Sequence, residues 1–213
     1  FGIFIKNIFQ HNNISDIKLT NINICSVVPE IDDSIKSACI KYFKINPFFL
    51  NNTSQFELNL KYANQSEIGA DRIATSIGAI SIIKKQNIII VDMGTATTID
   101  AVTKNNDYLG GSIICGVKTS IKSLSNNTSK LPSIKIRKPK YALGKSTKEN
   151  MEIGSYYGHM GSIKELISYI SRCAFDGEDY KIIATGGFSE LYHDENIFDI
   201  IEPMLIFYGL IKF

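Results

Sequence analysis

With 213 residues, 44% of them hydrophobic and 21% charged, the chain is long enough to bury one large core or two small ones. A net charge of +2 offers no global field for nucleic acid or an anionic membrane, and no apolar run reaches the ~20 residues of a membrane helix. Cys25, Cys39, Cys115 and Cys173 lack C-x-x-C spacing and the start lacks a secretory leader, so reduced thiols in a cytoplasmic protein are expected.

Phe1 to about Asn12 places apolar residues at 1, 4, 5, 8 and 9, the stripe of a helix. Asn21 to Val28 reads as a strand ended by Pro29. Asp32 or Asp33 can cap a helix through Tyr42 and Phe43, with Ile35, Ala38, Cys39 and Tyr42 on one face. Pro47 to Leu50 reads as a short strand, and the alternation Phe56, Leu58, Leu60, Tyr62 predicts another. Gly69 opens a helix to Lys85, with Ile73, Ile77 and Ile80 on its inner side.

Ile88 to Val91 is a continuous β-branched run of the kind found in buried strands. Residues 97–103 and 107–115 follow as hairpin partners, then a helix over 117–125. A long helix spans Thr147 to Arg172, with Ile163, Leu166, Ile167 and Ile170 facing the core. Lys181 to Ala184 is a second buried strand, and a last helix follows Pro203. Strands interleaved with helices indicate an α/β fold, with a domain boundary expected just before Ile88. Lys135, Arg137, Lys138 and Lys140 form a short basic cluster broken by Pro139 and read as a solvated loop.

The string Asp92-Met93-Gly94-Thr95-Ala96-Thr97-Thr98 leaves a buried strand as a carboxylate, a glycine and three threonines. Glycine permits close backbone approach to a phosphate, while N–H groups and hydroxyls donate to its oxygens. Asp92 is placed to hold a cation against phosphate charge; the plain alternative is a polar hairpin turn. Gly69-Ala70-Asp71-Arg72 puts Asp71 at a helix start, as a cap or as a general base for an attacking hydroxyl. Thr185-Gly186-Gly187 ends a strand where a flat base or ribose could lie against bare backbone. Gly110-Gly111-Ser112 is weaker, and His11, His159 and His193 read as surface or partly packed side chains.

In this order and spacing the strings resemble type III pantothenate kinases: Tyr62, Glu67 to Arg72, Asp92 to Thr98, Gly110 to Ile113, Leu131-Pro132, Gly144 to Thr147 and Thr185 to Gly187. The resemblance implies two ribonuclease H-like domains of the actin-like ATPase superfamily, over residues 1–86 and 87–213, with ATP in the cleft between them. It implies a homodimer that transfers the γ-phosphate of ATP to pantothenate, using Mg2+ and a monovalent cation, potassium or ammonium.

By the same resemblance Asp71 is the catalytic base, and Tyr62, Gly69, Ala70, Asp71, Arg72 and Thr147 bind pantothenate. Thr95 contacts ATP and Asp92 holds the monovalent cation. Cys115-Gly116 stands where the family has Pro-Gly. The family's opening strand and Asp-x-Gly-Asn-Thr-like loop have no counterpart in these residues, so the first domain is expected to be incomplete. Competing expectations are a catalytically impaired remnant or regulatory relative, and a phosphatase or exopolyphosphatase of the superfamily; the match at Tyr62 and Gly69 to Arg72 disfavours the last.

Overall fold

In the computed structural model, which describes residues 2–12, 14 and 19–213, the chain opens with α1 (Gly2–His11). Phe1, the first position of the expected helical stripe, lies outside the described residues. β1 (Asn23–Ile24) is only two residues long, shorter than the expected Asn21–Val28, because its ladder partner is equally short. A 3-10 turn over Pro29–Ile31 leads into α2 (Asp32–Phe43). That helix has no side-chain N-cap; Asp32 instead accepts from the Ser26 hydroxyl. α1 rests on α2, with Gly2 against the Tyr42 ring and Phe9 centred 6.0 Å from Phe43.

β2 (Phe48–Phe49) pairs in parallel with β1, making a two-stranded sheet. β3 (Asn59–Leu60) keeps only the centre of the expected alternating strand, where its parallel partner offers hydrogen bonds. α3 (Ala70–Ile82) begins after Gly69 and stops short of Lys85, because Ile83 is extended and Lys85 is left-handed at φ 56°.

β4 (Asn87–Met93), β5 (Ala96–Val102) and β6 (Asp107–Cys115) form an antiparallel meander, followed by α4 (Val117–Asn126). α5 (Thr147–Phe175) runs one turn beyond the expected Arg172 and ends at left-handed Asp176 and Gly177. β7 (Tyr180–Thr185) pairs in parallel with β4. A 3-10 segment over Ser189–Glu195 and β8 (Ile200–Ile201) were not foreseen, and α6 (Leu205–Leu210) closes the fold. The larger sheet has six strands in the order β3-β6-β5-β4-β7-β8, mixed in direction.

Alternation along a strand sends neighbouring side chains to opposite faces. Ile88 and Ile90 join Ile73, Ile77 and Leu205 beneath α3 and α6, whereas Ile89, Val91 and Met93 join Ile163 and Ile167 beneath α5. α3 and α6 approach to backbone contact, since a Cβ on Gly78 would strike the Leu205 carbonyl and one on Gly209 the Ala74 carbonyl. The first core also contains Leu50, Leu58 and Ile68, so apolar packing runs continuously from residues before position 87 to residues after it.

The basic cluster lies in an irregular loop, where Arg137 reaches Glu152 at 3.5 Å and Lys138 reaches Glu195 at 2.9 Å. Among the described residues no helix is long and apolar enough to cross a membrane, and all four cysteines are free.

Candidate active site

Gly69 caps α3 without a side chain, and Asp71 stands in the first turn of the helix. The Arg72 N–H donates to Asp71 Oδ1 at 2.8 Å, so one carboxylate oxygen is held against the first turn of the helix while Oδ2 has no protein partner among the described residues. A Cβ on Gly69 would collide with that same Oδ1, which is why a glycine precedes the acid. Val27, beyond β1, lies 3.8 Å from the same point, and the Cys25 thiol is pushed up to about 12 by burial and by the charge of Asp71. The end of the small sheet therefore lies beside Asp71.

Arg72 turns inward, 7% exposed, and its guanidinium Nε lies 3.1 Å from Asp100 Oδ1 while Nη2 donates to the same carboxylate. Tyr108 donates to Asp100 Oδ1 at 2.8 Å and lies beneath the guanidinium. Burial alone would lower the arginine, but the hydrogen bonds and charge of Asp100 outweigh it and hold Arg72 above its ordinary value. Burial raises the Asp100 carboxyl, while Arg72 and Tyr108 pull it back. Tyr62 completes this wall: its ring is 6.2 Å from that of Tyr108 and packs over Gly110, whose φ of +102° and missing Cβ leave room for it.

Asp92 lies near the end of β4, in register with Thr98 on β5 and Thr185 on β7. Burial first, then the charges of Asp71 and Asp100, push its carboxyl up to about 6. Sheet alternation thus gathers Asp92, Thr98 and Asp100 on the face shared with Asp71.

The turn after β4 is stitched to its surroundings by backbone. Gly94 N–H donates to the Ala96 carbonyl at 2.9 Å, and the Thr95 carbonyl accepts from Gly116 N–H at 3.1 Å and Thr119 Oγ1 at 2.7 Å. Gly116 has no space for a Cβ against Gly94 and Thr95. The Thr95 side chain remains exposed. On the other side Gly186, at φ +88°, lies against Asp92 and the Met93 backbone, and Phe188 N–H donates to the Met93 carbonyl at 3.1 Å.

Of the residues singled out by sequence, Gly69, Ala70, Asp71 and Arg72 lie together at the start of α3, Tyr62 packs against Tyr108 beside Arg72, and Asp92 and Thr95 lie at the end of β4 and in the turn after it. Thr147 stands apart at the exposed start of α5, where Ser146 caps the helix by accepting from Glu149 N–H and Glu149 accepts from Lys145 N–H, and no hydrogen bond or ion pair among the described residues links it to Asp71, Asp92 or Thr95. Asp100, Tyr108, His159 and Tyr192 were missed. A carboxylate inside the apolar strand Ile99 to Val102 was the available signal for Asp100, because such a charge demands a buried counter-charge. His159 corrects the expectation of a surface or partly packed side chain: it is only 9% exposed and hydrogen-bonded on both ring nitrogens.

The sequence matches the profile of the family described as type III pantothenate kinase over residues 1–169. A type III pantothenate kinase of Legionella pneumophila (strain Paris) is 46% identical over 209 residues, covering 98% of this chain and 82% of the relative. Type III pantothenate kinase 1 of Francisella tularensis subsp. tularensis (strain SCHU S4) is 42% identical over 212 residues, covering 98% and 80%. Among solved structures, a Campylobacter jejuni protein described as a Baf family transcriptional activator superposes with a TM-score of 0.62 at 23% identity, over 95% of this chain and 85% of that one. A Sinorhizobium meliloti protein described as a 2-dehydro-3-deoxygalactonokinase gives 0.54 at 9% identity, over 100% and 84%. Both structural likenesses concern the fold alone, an α/β architecture.

Proposed function

Because the chain belongs to the type III pantothenate kinase family, we propose that its cleft transfers the γ-phosphate of ATP to the 4′-hydroxyl of pantothenate, the first step of coenzyme A synthesis. The supporting observation is the meeting of Asp71 with Asp92 beside the Gly94–Thr95 turn, near enough that the charge of one raises the carboxyl of the other. Phosphoryl transfer needs positioning and charge neutralisation more than covalent help, and this cleft offers backbone N–H groups, hydroxyls and carboxylates without a nucleophile.

Asp71 is the base. Its Oδ1 is anchored on the helix start, which aims Oδ2 at the alcohol and leaves it free to take the proton as the oxygen attacks. Gly69, Ala70, Arg72 and Tyr62 bind pantothenate; the Asp100 pair fixes the arginine so that it does not fold onto Asp71. Thr147 joins this set by family resemblance alone. Thr95 receives the phosphates with its hydroxyl and its own N–H, since the Gly94 N–H is given to the Ala96 carbonyl.

Asp92 suits a monovalent cation, potassium or ammonium, because a carboxyl raised by burial and two neighbouring acids lacks the positive charge such an ion carries. Among the described residues no group of three or more acidic, histidine or cysteine side chains is disposed around a metal, so hydroxyl, carbonyl and phosphate oxygens would complete its shell and that of the Mg2+ accompanying ATP. A bound cation there supplies positive charge against the phosphate oxygens. The homodimer, the cytoplasmic setting and the division into domains 1–86 and 87–213 belong to the same proposal; exposed Leu124, Tyr141 and Leu143 at 44%, 70% and 80% support an apolar contact with a second copy.

Asp71→Asn is the test. It should lower kcat by about 10²–10⁴ while leaving ATP affinity in place. Unchanged pantothenate turnover would remove Asp71 from the chemistry.

A further inference from the structure

β5 turns Thr97 away from the carboxylates and into the side of the sheet covered by α5. There its fully buried hydroxyl lies 3.0 Å from His159 Nε2, and Nδ1 of the same ring lies 2.9 Å from Tyr192 Oη. The Tyr192 hydroxyl reaches the Tyr156 carbonyl at 3.5 Å, and its ring stacks on the imidazole with centroids 5.7 Å apart. Thr97 Oγ1 has no other hydrogen-bond partner among the described residues. One arrangement gives every buried donor an acceptor: Thr97 donates to Nε2, Nδ1–H donates to Tyr192, and Tyr192 donates to the Tyr156 carbonyl. The ring is then neutral, as burial favours by lowering its proton affinity.

The two ends of this relay lie in different loops. Thr97 follows Thr95 by two residues at the close of the phosphate turn, and Tyr192 lies in the 3-10 segment that follows Gly186-Gly187. Among the described residues these segments are also joined by Phe188 N–H to the Met93 carbonyl and by Gly186 packing against Asp92 and the Met93 backbone. We propose that His159 is a positioning residue for ATP. It touches no substrate; it fixes the spacing between the Gly94–Thr95 turn and the Gly186–Gly187 turn, so that both face one nucleotide. The inference rests on reading these turns as the ATP site.

The test compares His159→Phe, which keeps a ring and loses both hydrogen bonds, with His159→Gln, which keeps an acceptor for Thr97, and with Thr97→Val. Binding of Mg-ATP is measured by calorimetry, alongside KM for each substrate and the melting temperature. Loss of one buried, coupled hydrogen bond should weaken Mg-ATP binding by about 5- to 10-fold in His159→Phe and in Thr97→Val. KM for pantothenate should stay at the wild-type value, and His159→Gln should restore most of the loss. The double variant Thr97→Val/His159→Phe should be no weaker than either single one, because both break the same link.

Nucleotide affinity unchanged in both single variants overturns the proposal, as does equal weakening of both substrates or full additivity in the double variant. Thr95→Ala separates the two levels. If it loses nucleotide affinity while the relay variants do not, only the relay is wrong; if it too binds Mg-ATP normally, the phosphate-turn assignment itself fails.

Discussion

Replacing Asp92 by asparagine is expected to stabilise the unliganded fold while abolishing the proposed cation site. Burial and the charges of Asp71 and Asp100 push this carboxyl from its ordinary 3.8 up to about 6. An acid raised on folding supports the folded state fully below its unfolded value, and that support is lost as pH climbs through the folded one. At about 1.4 kcal/mol per pH unit, the difference between 3.8 and about 6 sets a ceiling of roughly 3 kcal/mol at neutral pH. Screening at a carboxyl that keeps some solvent contact reduces the expectation to about 2 kcal/mol. For a chain of this size that is a rise in Tm of roughly 4–8 °C.

Thermal unfolding of wild type and Asp92→Asn, side by side in potassium-free buffer, measures it. Asparagine mimics the protonated acid, so the two melting curves should converge near about pH 4, draw apart as pH rises toward about 6, and keep a constant gap above that. Potassium should then raise the wild-type Tm at neutral pH and leave the variant unmoved, because an ion that binds only the folded state stabilises it by mass action. A variant less stable than wild type at neutral pH, or a gap independent of pH, would refute the reasoning.

Two further substitutions probe the walls. Asp100→Asn strips the counter-charge from buried Arg72 and should cost about 3–5 kcal/mol in urea unfolding, with pantothenate affinity falling as the arginine loses its seat. Gly186→Ala places a methyl 2.7 Å from the Met93 backbone at a φ of +88°. It should destabilise by about 1–3 kcal/mol and weaken nucleotide binding more than pantothenate binding, seen by calorimetry with each ligand.

The parts of this molecule legible in its sequence are those set by local pattern. The run Ile88 to Val91 announces a strand buried on both faces, and each of these residues is fully inaccessible. The stripe Ile73, Ile77 identifies the inner side of α3, and Gly69 before Asp71 marks its start. What depends on a distant partner was not legible. β1 and β3 shrank to the length of their ladders, and β8 exists only because β7 offers it an edge. Asp100 lay inside a recognised string, yet its meaning came from Arg72, 28 positions earlier. His159 is likewise silent until α5 is laid across β5.

The sheet's two-residue period links these observations to the chemistry. Successive residues of β4 and β5 point to opposite faces, so the acids Asp92 and Asp100 face α3, while Met93 and Thr97 face α5. With Asp71 included, one face therefore collects three carboxylates, and the cation hydrogen-bonded among them, Arg72, is already committed to Asp100. Bare nucleotide phosphates approaching that face meet like charge, and the Gly94–Thr95 turn answers with neutral N–H and hydroxyl donors only. Within the proposed mechanism a cation at Asp92 is thus a requirement created by the alternation itself. The other face, free of charge, is left to hold the loops in register, which is the role the buried histidine fills.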